Sequence, residues 1–228
     1  MESRSHPARA QLSLDEGGQA LLVVGRCLSL GHANGGQTDI PIWGDLGEKV
    51  LEFTLGESFH GGARWRARAL GEDAGQNARD LDLEDEIPIG AGGALRLTQP
   101  CAASAAAVLE LCGNLDADGA RRVLLVPPGA GGTLRIGSTS DCHLFWQGAG
   151  PGSQAQLSVH EDAGALTLHL RCEEGLRSPD GEPGTRWAGP FPPTERVEVL
   201  LGEPDSASRP LALCLSPGSP STIQRGPD

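Results

Sequence analysis

Residues able to do chemistry gather in a few short clusters. After Gly137 the chain reads Ser138, Thr139, Ser140 and Asp141, followed by Cys142 and His143. Three hydroxyls beside a carboxylate can satisfy the N–H groups of their own loop or donate to an anionic ligand. A second loop opens after Gly31 with His32 and Asn34, and Lys49 and Asn77 are further polar candidates in the same half. Other clusters fail on spacing. The stretch NLDADG (114–119) starts like a calcium loop, but its twelfth position is Leu125, where a bidentate glutamate belongs, so it reads as an acidic turn. GAGG (129–132) and GAGPG (148–152) lack the lysine and hydroxyl of a phosphate loop. Cys142 and His143 are adjacent, so on a strand they face opposite sides and do not share an ion. His160-Glu161 has no second histidine at zincin spacing, and no serine stands in Gly-x-Ser-x-Gly. These patterns point away from an enzyme and from a metal or other cofactor.

Composition sets the elements that must hold these loops. The 228 residues allow one large domain or two small ones. Gly and Pro number 33 and 17, and the apolar residues fall in runs of four to eight, which predicts short strands divided by turns. QALLVVG, CLSLG, KVLEFTL, ARWRARAL and ALRLT in the first half, and RRVLLV, TLRIG, QAQLSV, ALTLHLRC, RVEVLL and PLALCL in the second, alternate or run apolar over strand lengths. SAAAVLELC (104–112) has helix propensity, but its counterpart RPLALCL alternates and carries a proline, so both read as strands.

The halves match each other. CLSLG (27–31) aligns with TLRIG (133–137), and TDIPI (38–42) with SDCHL (140–144). GALRLTQPCAASAAAVLEL (93–111) aligns with ERVEVLLGEPDSASRPLALCL (195–215). Two blocks in one order at nearly one offset predict two structural repeats.

The net charge of −12, with Lys49 the single lysine, repels nucleic acid and anionic membranes. Six cysteines show no paired metal or redox spacing, no stretch approaches the ~20 apolar residues of a membrane span, and the opening MESRSHPARAQ lacks the apolar centre of a secretory signal. The expectation is a cytoplasmic protein with reduced thiols.

IGSTSDCHLF (136–145), LGHANGGQTDIPIWGDL (30–46) and LDLEDEIPIGAGGALRLTQP (81–100) together resemble the forkhead-associated (FHA) family, in its bacterial form. The resemblance implies an all-β chain of two tandem FHA-like β-sandwiches. The first spans 19–112 and the second 121–215, with a linker at 113–120; the ends at 1–18 and 216–228, rich in Ser, Pro and Gly, are expected to be loose. It also implies a protein-interaction module, with partners among Ser/Thr-kinase signalling proteins or a larger assembly. The ligand loops would carry His32, Asn34, Lys49, Asn77, Ser138, Thr139 and Ser140. The family's phosphate-gripping arginine is replaced by His32 and Ser138, and its Ser-Arg-Arg-His by Gly47, Glu48, Lys49 and Val50. A phosphothreonine needs charge-assisted donors, so the expectation is an FHA-like adaptor without strong phosphothreonine binding. The alternative is a small β-domain that binds a metal or small ligand through loop His and Asp residues.

Overall fold

The computed structural model describes residues 7–15, 18–34, 38–44, 46, 50–57, 63–70, 86–89, 92–129, 131–146, 149, 154–202 and 211–218. All the regular structure among them is β, and none of their segments is a helix long and apolar enough to cross a membrane. The first half supplies β1 (Ala8–Leu14), β2 (Gly18–Val24), β3 (Cys27–His32), β4 (Ile40–Ile42), β5 (Val50–Glu57), β6 (Ala63–Leu70), β7 (Glu86–Ile89), β8 (Gly93–Thr98) and β9 (Ala107–Cys112). The second supplies β10 (Arg122–Val126), β11 (Thr133–Gly137), β12 (Leu144–Phe145), β13 (Gln154–Asp162), β14 (Ala165–Arg177), β15 (Pro183–Phe191), β16 (Val197–Leu201) and β17 (Leu211–Pro217).

These strands form a four-stranded sheet, β4-β3-β5-β6, and a thirteen-stranded one. The large sheet runs β12-β11-β13-β14-β16-β17-β1-β2-β10-β9-β8-β7, with β15 attached to β14. It does not stop at the expected linker. β2 lies parallel to β10 with Leu21 opposite Val123 and Val24 opposite Val126, and β1 pairs antiparallel with β17. The division into separate sandwiches at 113–120 is therefore replaced by one sheet through both halves. The tail expected to be loose at 1–18 instead contains β1. Its alternating Ala10, Leu12 and Leu14 are buried, which is ample reason for it to pair. The linker is structured too. Trp43 and Asp116 exchange backbone hydrogen bonds of 2.8 and 3.1 Å, and Ala117 bridges Ala120.

Two cores result, one on each face of the central strands. Leu21 and Val23 of β2, Val123 and Leu125 of β10, and Leu109 and Leu111 of β9 pack with Leu28, Leu30, Phe53 and Trp65 of the small sheet. Leu22, Val24, Leu124 and Val126 point the other way, into a core shared with Leu134, Ile136, Leu157, Leu170, Val199 and Leu213. That second core draws on β11 and β12 at one edge of the large sheet as well as on β2, β9 and β10 further along it, so the sheet folds over on itself. The fold-over lies in β14. Its residues up to Arg171 pair in register with β15, the register shifts before Leu176, and Leu176 and Arg177 also pair with β16. Gly175, at φ 97°, takes the left-handed conformation that this bend requires.

The segment before β9 is a hub rather than a helix. Ser104 is buried, and its Oγ donates to the Thr133 carbonyl at 2.5 Å while accepting from the Thr133 and Ala106 amides. Trp65 Nε1 donates to the Ala105 carbonyl at 2.8 Å. Ser104 thus binds the two halves together.

Because β2 and β10 are buried on both faces, neither core can be dissolved without exposing the other. Trp65 lies in one core and Trp146 in the other. Guanidinium unfolding followed by the fluorescence of single-tryptophan variants that retain Trp65 or Trp146 should give one coincident transition. Two separated midpoints would show that the halves unfold independently. Ile136 is fully buried, and Ile136→Ala should lower stability by about 2–5 kcal/mol, read from the same curves. A loss below roughly 0.5 kcal/mol would mean that its pocket collapses at no cost.

Candidate functional site

The repeat is visible at the strand–glycine elements. In the first half Leu30 and Gly31 pair in parallel with Ile40 and Pro41; in the second Ile136 and Gly137 pair in parallel with Leu144 and Phe145. Both elements close with the same clasp. Ser29 N–H donates to Asp39 Oδ2 at 2.7 Å, and Arg135 N–H donates to His143 Nδ1 at 3.1 Å. Asp39 therefore corresponds to His143, not to Asp141 as the motif alignment has it. Gly31 and Gly137 are ladder residues, and neither is among the glycines with positive φ. Gly137 holds a buried place between β12 and β13, paired with Phe145 and Gln154.

His143 is buried at 5% exposure. Its Nδ1 accepts from Arg135 N–H, which puts the ring proton on Nε2, 3.2 Å from the Ala106 carbonyl. Burial is the main cause that holds its pKa below the ordinary 6.5, with the nearby Arg135 cation acting the same way; the Ala106 bond and Asp141 oppose them.

The loop over this histidine is closed on itself. Arg135, from β11, forms an ion pair with Asp141 and donates to Gln154 Oε1 on β13. Thr139 Oγ1 donates to Asp141 Oδ1 at 2.5 Å and accepts from Gln154 Nε2 at 3.4 Å. That hydroxyl, together with the Arg135 guanidinium, holds the Asp141 carboxyl below the usual range. Arg135 also donates to Cys101 Sγ at 3.6 Å. Both terminal nitrogens of the Arg135 guanidinium are thus engaged within the protein, while its buried Nε has no partner.

Of the residues expected at the ligand loops, Ser138, Thr139 and Ser140 share the loop after β11, with Ser138 half-buried and the other two exposed. His32 ends β3 and Asn34 lies in the turn that follows, where His32 Nδ1 accepts from Asn34 N–H at 3.1 Å, a local turn contact. Lys49 and Asn77 lie outside the described residues. Among the described residues, no group of three or more His, Cys, Asp or Glu is placed to hold a metal ion, and all six cysteines are free thiols.

Sequence reasoning missed a different set. The face of β11, β13, β14 and β15 away from the core carries Arg135, Gln156, Arg171 and Arg186 in one cross-strand row. The next row holds Thr133, Ser158, His169 and Ala188. A cavity of about 470 Å³ lies on this face, lined by Gln156, Ser158, His169, Arg171, Arg186 and neighbours. The signal was the polar half of each alternation, QAQLSVH against LHLRC, but only the register brings the rows together.

No family model matches the chain, no curated protein matches its sequence, and no solved structure matches its fold.

The buried neutral His143 gives a pH dependence. Its folded pKa is lowered, so above about 6.5 both states are neutral and stability is full. As pH falls through 6.5 the unfolded chain takes up the proton first, and stability drops until the folded pKa is passed. Chemical denaturation at pH 7.5 and 5.5 should give a lower midpoint at 5.5, and His143→Gln should flatten that difference. An unchanged pH dependence in the variant would assign it to another group.

Proposed function

We propose that this chain is a non-enzymatic protein-interaction module, made of two FHA-like repeats that share one sheet, and that it does not select phosphothreonine. The repeated strand–glycine–parallel-strand element with its clasp supports the kinship of the halves. The observation that carries the functional reading is the closed loop at 138–141. Thr139 and Arg135, the groups that would meet a phosphate there, are committed to Asp141 and Gln154. A ligand would have to displace a carboxylate already in place and offset the loss of those bonds. The first repeat offers His32, engaged with Asn34, and no arginine in the sequence from Gly31 to Val50. A folded β scaffold with acidic surface charge suits an adaptor in a cytoplasmic Ser/Thr-kinase setting, its partner recognised by surface shape rather than by phosphate.

Titrating a phosphothreonine peptide library and its unphosphorylated counterpart into the protein tests this. The expected result is no phospho-dependent affinity tighter than about millimolar. Phospho-dependent binding in the low micromolar range, lost on His32→Ala or Thr139→Ala, would reverse the reading.

A further inference from the structure

The outward face of β11, β13, β14 and β15 is a basic island in a chain of net charge −12. Arg171 and Arg186 stand directly opposite each other on neighbouring antiparallel strands. Like charges in that position repel and weaken the pair. Arg171 has one exposed acidic neighbour, Glu173, at 3.3 Å, and Arg186 makes no ion pair among the described residues. Around them the face presents uncharged donors from Gln156, Ser158 and Thr133, with His169 two residues from Arg171 on the same side of β14. Leu170 and Trp187 pair one step along, and alternation turns their side chains to the core, so they supply the floor of the cavity. The His160 and His169 rings lie 4.5 Å apart at one side, and His160 Nε2 is 3.1 Å from Ser158 Oγ.

We propose that this groove binds the phosphate group of a small phosphate monoester. A compact dianion relieves the repulsion between the two guanidiniums, and each fork can place two N–H donors on its oxygens. Serine, threonine and glutamine donors suit the remaining oxygens, and a volume of about 470 Å³ has room for a small organic body beside the phosphate. A polyanion is disfavoured. Nucleic acid needs basic contacts spread along many phosphates, whereas this island rests on two facing arginines in a chain of net charge −12. The site lies on strands, apart from the loop at 138–141, so it holds or fails independently of the interaction reading above.

The test is an amide chemical-shift titration of the full chain at low ionic strength. The probes are inorganic phosphate, glycerol 3-phosphate, a phosphothreonine peptide and, as a control, chloride at matched ionic strength. Phosphate and glycerol 3-phosphate should give saturable shifts confined to β11, β13, β14 and β15. Arg186→Gln and Arg171→Gln, both at exposed positions, should each weaken binding about tenfold, the loss of one charge-assisted contact, with dispersed spectra showing that the fold is kept. Shifts that are absent up to about 10 mM, a range where only contacts of a few kcal/mol would go unseen, would overturn the proposal. So would an affinity unchanged in Arg186→Gln, or binding by the peptide alone.

Discussion

The parallel pairing of β2 with β10 is the constraint on which the rest of the molecule depends. Parallel strands covered on both faces read as continuous apolar runs, and ALLVV and VLLV are such runs. Leu21 and Val23 face one core while Leu22 and Val24 face the other, and β10 repeats the division with Val123, Leu125, Leu124 and Val126. Each half brings a layer that cannot bury its inner face alone. The shared strands give both layers something to lie against, and the small first-half sheet and the folded-over second-half sheet are thereby fixed on opposite sides. The Ser104 bonds to Thr133 and the His143 contact to Ala106 then tie the second-half loop to the same hub.

Local patterns were legible in the sequence, and long-range ones were not. The strand segments, the repeat and the polar turns follow from alternation and from glycine and proline placement. TLRIG and CLSLG lie in equivalent elements because both alternate into a glycine. Register is what the sequence hides. The motif alignment set Asp39 against Asp141 because both are aspartates, yet the ladder sets it against His143, and a carboxylate and an imidazole nitrogen serve equally as the acceptor. The partner of an edge is hidden as well. β1 carries an ordinary alternating pattern with nothing to say that its neighbour is β17, and a tail rich in polar residues was the plainer reading. The basic groove escaped notice because Gln156, Arg171 and Arg186 are scattered over three strands and become neighbours only after pairing.

Charge is distributed by the same logic. Two arginines of the second half show the contrast: Arg135 is neutralised by Asp141 within the loop, whereas Arg186 is left on the outward face. His143 stays neutral because its two nitrogens are already spoken for by main-chain groups in a site from which water is excluded. A position that a family pattern would give to an exposed ligand loop is used here to hold the loop shut.

The pairing of β1 with β17 also has a bearing on biosynthesis. Ala10 meets Pro217, so the ladder joins segments separated by almost the whole described chain. Such contacts require closure of a very long loop before they repay its entropy, which places the protein among slow, topologically complex folders. During translation at roughly 5–20 residues per second, β1 and β2 emerge long before β17 exists. The N-terminal strands must therefore wait on the ribosome with one ladder edge unmatched, and the large sheet can be completed only after the last strand has cleared the exit tunnel.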